Sequence, residues 1–301
     1  MQVKVLIVGS SNTDMVTISD RLPKPGETVI AHQFYIAQGG KGANQAVAAA
    51  RLGGQVTFVC KVGADNFGNQ SITSYQKEGI NTDFIYLDQQ TPTGTALINI
   101  DDKGENMIVA TMGANAHLQV DEVSPVFEKM READVVVSQL EIPLETVLFT
   151  AKEAKKYEIP FILNPAPPNQ ITDELISLTD FIIPNETEAE IYTGIKVMDE
   201  QSARQAAKEL VRRGAKTVVI TMGAKGAFLC SDATERLIPA PKVKAIDTVG
   251  AGDTFCGAFA VAIAKGKSAE EAIGFANKCA SIAVTREGAQ QGIPYKDEIT
   301  G

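Results

Sequence analysis

Lys244–Ala264, KAIDTVGAGDTFCGAFAVAIA, is the stretch from which the rest of the chain can be read. Its pattern is a strand end closed by Asp247 and Thr248, a turn at Val249-Gly250-Ala251-Gly252, and a helix entered near Asp253. Phe255, Ala258, Phe259, Ala262 and Ile263 recur at helical spacing as the apolar stripe of that helix. Small turn residues let main-chain N–H groups come close to a ligand. The first N–H groups of a helix have no internal partner, so the turn and the helix start together make an anion site. Asp253 beside that site is either a helix cap or a base that takes a proton from a nucleophile attacking the bound anion.

Working outward, strands and helices alternate. Val3–Val8 is a continuous apolar run that stops at Gly9-Ser10-Ser11-Asn12, as a buried parallel strand would. Further strands are expected over 56–62, 134–140, 159–163, 181–183 and 217–221. Between them, helices are expected up to Gly79 and over 120–131, 146–157 and 202–214. The last of these carries Ala203, Ala206, Ala207, Leu210 and Val211 on one face, with Gly214 as its C-cap. The alternation predicts an α/β fold, a three-layer sandwich with a mostly parallel central sheet. Two partly polar β pieces break the rhythm. One is Thr28–Ile36, and the other is a hairpin from Thr95–Ile100 through Asp101–Glu105 into Met107–Thr111. They predict a small β lid, inserted from about 14–38 and 94–111 into a single domain over 1–301.

The chain has 301 residues, a net charge of −9, 44% hydrophobic and 22% charged residues, the balance of an ordinary globular protein. The acidic charge argues against nucleic acid or an anionic membrane as partner. No apolar run reaches bilayer-spanning length, and MQVKVLIVGSSN lacks a signal-peptide pattern. Cys60, Cys230, Cys256 and Cys279 form no C-x-x-C and read as reduced thiols of a cytoplasmic protein. His32 and His117 are the only histidines, which argues against a His-based metal cluster or a Ser-His-Asp triad. Neither a Walker-type nor a G-x-G-x-x-G motif is present.

Polar residues recur where the predicted strands end: Asn12 and Asp14, Glu141, Asn185 and Glu188, then Thr221, Gly223 and Gly226. In open α/β sheets that edge binds ligands. Gly39-Gly40-Lys41-Gly42-Ala43-Asn44-Gln45-Ala46 leads into a helix from Val47. It is either a close backbone approach to a polar ligand or the tight packing of an Ala-rich helix. Repetition of polar groups on one edge favours the ligand reading and a base role for Asp253. Asn12, Asp14, Gly40, Lys41, Asn44 and Glu141 offer donors and acceptors suited to a small polyol. Asn185, Glu188, Thr221, Gly223, Gly226 and the Gly250-Ala251-Gly252 turn suit a nucleotide and its metal-bound phosphates, with Glu188 reaching Mg²⁺ through water. The two sets together suit phosphoryl transfer to a sugar hydroxyl, a reaction that asks mainly for positioning and charge neutralisation.

Three motifs carry a family resemblance: GGKGANQA at Gly39–Ala46, DTVGAGDTFCGAF at Asp247–Phe259 and NETE at Asn185–Glu188. On them the chain resembles the ribokinase family of carbohydrate kinases, from Val3 to about Pro294. The resemblance implies ATP-dependent phosphorylation of D-ribose at its 5-hydroxyl, with Asp253 as catalytic base. Ribose would lie against Asn12, Asp14, Gly40, Lys41, Asn44, Glu141 and Asp253. ATP would lie on Asn185, the Thr221–Gly226 segment, Gly252 and Asn277. Activation by K⁺ is implied near Asp247 and Val249, with carbonyls around Ala283, Arg286, Gly288 and Gly292. Val249 stands where relatives often have Thr, and Gly292 where relatives vary. A homodimer through the β lid is also implied. A related substrate such as 2-deoxyribose or a nucleoside, or a non-catalytic sugar sensor on the same fold, are the alternatives.

Overall fold

Val5, Leu6, Ile7 and Val8 are all fully buried, so the first strand is covered on both faces. The computed structural model describes residues 2–299. In chain order it has β1 (Val3–Val8), β2 (Asn12–Ser19), β3 (Gln33–Gly39), α1 (Lys41–Arg51), β4 (Gly54–Gly63), α2 (Asn66–Lys77), β5 (Asn81–Asp88), β6 (Gly94–Asp101) and β7 (Asn106–Thr111). Then come α3 (Val120–Lys129), β8 (Val135–Ser138), α4 (Leu144–Lys156), β9 (Phe161–Leu163), α5 (Asp173–Ser177), β10 (Phe181–Ile182), α6 (Glu186–Thr193) and α7 (Glu200–Arg212). The chain ends through β11 (Val218–Thr221), β12 (Ala227–Cys230), β13 (Glu235–Ile238), α8 (Ala251–Ala264), α9 (Ala269–Ala283), α10 (Ala289–Gly292) and α11 (Lys296–Ile299).

The central sheet has nine strands in the order β13-β12-β11-β10-β9-β8-β1-β4-β5. From β11 to β5 every pairing is parallel. Alternate strand side chains point to opposite layers. Val5, Ile7, Val135, Val137 and Ile162 meet α1, α8 and α9 on one face. Leu6, Val8, Val136, Leu163 and Val218 meet α3, α4 and α7 on the other. The expected three-layer α/β sandwich is therefore present. A second sheet, ordered β3-β2-β6-β7, stands apart from it.

Several elements differ from expectation. β2 pairs with β3 and β6 from Asn12 onward, so Asn12 and Asp14 begin a second strand rather than only closing the first. The same pairing sets β3: Asn12 faces Gly39 and Ile18 faces Gln33, which leaves Thr28–Ala31 outside any strand. α1 starts at Lys41, not Val47, with Gly40 at φ 91° as its N-cap. β12 and β13 add an antiparallel hairpin to the sheet edge, too short for the pattern to announce. Residues 239–247 are irregular, with Val243 and Ile246 exposed, and no strand precedes the 249–252 turn. Instead Ile246 and Asp247 donate their N–H groups to the Val284 carbonyl. In α7, Arg213 is the C-cap and Gly214 follows it at φ 111°.

α8 is buried from Asp253 to Ala262 on every side, a core helix rather than an amphipathic one. It lies against α1 with almost no side chain between them. A Cβ on Gly257 would come 2.6 Å from Ala48 Cβ and 2.7 Å from the Gln45 carbonyl. This approach sets the distance between the start of α1 and the start of α8. Gly257→Val should therefore wedge the helices apart and lower stability by about 1–3 kcal/mol, the usual cost of overpacking. Urea unfolding would measure it, and a variant as stable as the parent would contradict the contact.

Candidate active site

Asp253 occupies the third position of α8, with Gly250 (φ 75°) as the N-cap. Its carboxylate does not cap the helix. Its Oδ2 accepts from Asn44 Nδ2 at 2.9 Å and its Oδ1 from Gln45 Nε2 at 3.1 Å, so the capping alternative is gone. The residue is 8% exposed. Burial raises its pKa, the Lys41 charge and the Asn44 and Gln45 hydrogen bonds pull it back down, and Glu141 adds a smaller upward push. The net direction is upward. The Ala251 N–H closes the turn onto the Thr248 carbonyl at 3.2 Å. By position, the open helix-start donors are those of Gly252 and Asp253.

The first-half set gathers around this carboxylate. The Gly39-Gly40 end of β3 delivers Lys41 and Asn44 on the first turns of α1. Lys41 is half-buried; burial weakens its charge, but Asp253, Glu141 and Glu188 outweigh that and hold its pKa above the ordinary value. Glu141 Oε2 accepts from Ser10 Oγ at 2.6 Å and from the Lys41 N–H at 3.0 Å, which fixes it over the end of β1. Asn12 Oδ1 accepts from Asn115 Nδ2 at 2.7 Å. The Asp14 carboxylate lies over Gly39, within 2.5 Å of where a Cβ would stand. Burial first, then Glu141 and Asp253, push its pKa up to about 6. The site is thus a group of carboxylates around one lysine, a polar surface rich in acceptors.

The second-half set lies on the neighbouring strand ends. Asn185 caps α6, and Glu188 returns the bond to Asn185: its Oε2 accepts from the Asn185 N–H at 2.9 Å and its Oε1 from Asn185 Nδ2 at 3.0 Å. Glu188 is buried, which raises its pKa. A β-bridge joins Asn185 to Thr221. Thr221 opens the Gly223–Lys225 turn, where Gly223 and Gly226 take positive φ. Asn277 on α9 donates Nδ2 to the Ile238 and Pro239 carbonyls, so it holds the end of β13 beside that turn.

Asp247, Val249, Ala283, Arg286, Gly288 and Gly292 also come together. Asp247 accepts from the Val249 and Gly288 N–H groups, each at 2.9 Å. The Arg286 N–H donates to the Ala283 carbonyl, and a Cβ on Gly292 would lie 3.0 Å from that oxygen. The Arg286 guanidinium pairs with Glu298, so only its main chain faces the loop. The Asp247 carboxylate and the Ala283 carbonyl are oxygen ligands of the kind a hard cation takes, and both Asp247 oxygens already accept main-chain N–H groups. Among the described residues, one His-carboxylate group assembles, Asp20, His32 and Asp102, all exposed at the ends of the small-sheet strands.

Sequence reasoning passed over the amides that hold these groups: Gln45, Gln139, Asn164, Gln290 and Asn115. Gln45 follows Asn44 directly inside the GGKGANQA motif, a signal that was available. Gln139 and Asn164 meet Gln45, and Gln290 meets Asn44, only through the fold.

The family model for pfkB family carbohydrate kinases matches residues 2–296. The chain is 45% identical over 298 residues to a ribokinase of Haemophilus influenzae, covering 99% of this chain and 97% of the relative. It is 38% identical over 296 residues to a deoxyribokinase of Salmonella typhi, covering 98% and 97%. Among solved structures it resembles an Arabidopsis thaliana ribokinase complexed with ribose and ATP, with a TM-score of 0.91, 34% identity, and coverage of 100% of this chain and 98% of that one.

The raised Asp14 pKa has a thermodynamic consequence. Between pH 3.8 and about 6 the folded chain holds a proton on Asp14 that the unfolded chain has released. Stability from this group is therefore present at pH 4 and lost as pH rises through about 6. Asp14→Asn removes that loss. The stability of the variant relative to the parent should climb by up to about 3 kcal/mol between pH 4 and pH 7. Denaturant unfolding at both pH values would show it; a pH-independent difference would contradict the electrostatic picture.

Proposed function

The chain belongs to the pfkB family of carbohydrate kinases, and we propose that it phosphorylates D-ribose at the 5-hydroxyl with ATP, giving D-ribose 5-phosphate and ADP. One observation carries the reading: a buried carboxylate, Asp253, held by two amides at a helix start, between a sugar-like set of acceptors and the strand ends that suit a nucleotide. Full-length identity of 45% to a ribokinase supports it.

In this reading Asn12, Asp14, Gly40, Lys41, Asn44 and Glu141 hold the sugar with its 5-hydroxyl against Asp253. Asp253 accepts the hydroxyl proton as the oxygen bonds to the γ-phosphorus and the bond to ADP breaks. The Gly250-Ala251-Gly252 turn faces the moving phosphoryl, with the Gly252 and Asp253 N–H groups as open donors toward its charge. Asn185, Thr221, Gly223, Gly226 and Asn277 border the nucleotide. Mg²⁺, when bound with ATP, neutralises phosphate charge. Glu188 would meet it through water, because both its oxygens already accept from Asn185. K⁺ would sit among the oxygens of Asp247, Val249, Ala283, Arg286, Gly288 and Gly292 and lend positive charge to the anion turn. We take the four-stranded sheet as the lid over the sugar within one domain. Ile36, Leu97 and Val109 lie in one row across that sheet and are each about half exposed, an apolar face suited to a second copy of this chain. Four free, buried cysteines support a cytoplasmic enzyme.

Coupled ADP release with Mg-ATP and D-ribose tests the reading, first in K⁺ and then in Na⁺. Ribose-dependent turnover that rises with K⁺ is expected; turnover indifferent to the cation would remove the Asp247 loop site, and no turnover with ribose would remove the substrate. The deoxyribokinase relative raises 2-deoxyribose as a second substrate. Because an unpaired buried polar group is costly, ribose should exceed 2-deoxyribose in kcat/KM by at least about tenfold. Equal values would contradict a contact from Asn12 or Asp14 to the 2-hydroxyl.

A further inference from the structure

Gln45 is fully buried at the centre of an amide chain that ends on Asp253. Its Nε2 donates to Asp253 Oδ1 at 3.1 Å and to Asn164 Oδ1 at 3.0 Å, while its Oε1 accepts from Gln139 Nε2 at 2.6 Å. The polarity of this chain is dictated from one end. The Ile183 carbonyl can only accept, so Asn164 turns Nδ2 toward it at 2.9 Å and presents Oδ1 to Gln45. Gln45 must answer with its NH₂ group, the same end that a carboxylate requires. Its Oε1 then faces Gln139, which must donate in turn. Gln139 Oε1 is left buried against Gly9, with no hydrogen-bond partner among the described residues. Reversing Gln139 would set two carbonyl oxygens against each other at 2.6 Å, so the unpaired atom is the lesser cost of keeping the Gln45 NH₂ group on Asp253.

The chain also links the two halves of the site. Gln139 lies two residues before Glu141, and Ile183 two residues before Asn185. Asn44 completes the grip on the other side, with Nδ2 on Asp253 Oδ2 and its own Oδ1 accepting from Gln290 Nε2 at 3.1 Å.

We propose that Gln45, backed by Asn164 and Gln139, is a positioning residue for phosphoryl transfer, holding the Asp253 carboxylate in the single orientation that receives the hydroxyl proton. The inference rests on Asp253 being the base. Its electrostatic surroundings agree. Burial drives the Asp253 pKa up, the Gln45 and Asn44 donors and the Lys41 ammonium drive it down, and Glu141 drives it up again. Asp14, Glu188 and the Cys256 thiol also face Asp253 electrostatically.

Gln45→Leu keeps the volume and removes the donor. In this variant kcat should fall about 10- to 100-fold, the scale of a misplaced reacting group, with KM for sugar and ATP within about twofold. The acid limb of the kcat profile should move up by about one pH unit, because a donor to the charged form is gone. Gln45→Glu should move it further, by adding a second carboxylate. Aspartate ¹³Cγ NMR titration, with the Asp253 signal assigned by its absence in Asp253→Asn, reads the same shift without any turnover. It therefore separates failure of this inference from failure of the kinase reading. If Gln45→Leu does not fold, Gln139→Leu, which touches no carboxylate, should give a smaller shift in the same direction. An unchanged Asp253 titration in every folded variant, or a rate loss with an unchanged pH profile, would overturn the proposal.

Discussion

A single buried carboxylate constrains this molecule more than any other group. Taking Asp253 out of water is unfavourable, and the chain offsets that with donors drawn from distant positions: Asn44 and Gln45 from α1, and the Lys41 charge beside them. These contacts span more than 200 residues of sequence and hold only if α1 and α8 lie nearly backbone to backbone. Gly257, the alanines of α1 and the small residues of α8 make that approach possible. The core of one face of the sheet is thus shaped by the need to satisfy one acid. The same closeness brings the end of β1, with Ser10 and the loop before Asn12, under the first turn of α1.

The second organising feature is the shared edge of the parallel sheet. β1, β8, β10 and β11 run the same way, so their C-terminal ends open onto one side. Glu141 leaves β8 there, Asn185 follows β10, and Thr221 closes β11. Their meeting is a property of parallel topology rather than of any local motif. The small sheet adds Asn12, Asp14 and Gly39 from above, through strands whose register is set by one another. Acidic groups therefore crowd a half-buried space with one lysine. Burial first, and these neighbouring carboxylates second, lift the Asp14 carboxyl to about 6, while the same carboxylates hold Lys41 charged against its burial.

Much of this was legible in the sequence. Two-sided apolar runs such as Val3–Val8 declared a parallel sheet, and polar residues at their ends declared its working edge. The glycine turn before Asp253 declared an anion site. What stayed hidden was set by pairing across long distances. Asn12 and Asp14 read as the end of β1 because β6, which pairs with β2 in parallel, lies far along the chain. β12 and β13 are four residues each, too short for period to speak. The sequence favours a base over a cap at Asp253, but not the Asn44 and Gln45 donors that hold its oxygens. The supporting amides Gln139, Asn164 and Gln290 carry no spacing that ties them to Asp253, and only the fold makes them neighbours.

The role of Asp253 is tested most directly by Asp253→Asn, with transfer and binding measured on the same protein. The account predicts that kcat with Mg-ATP and ribose falls by about 10²–10⁴, the range for a positioned base, while the variant stays folded and still binds ribose in calorimetry. Turnover near the parental rate would contradict it, because the proton would then leave the hydroxyl by another route.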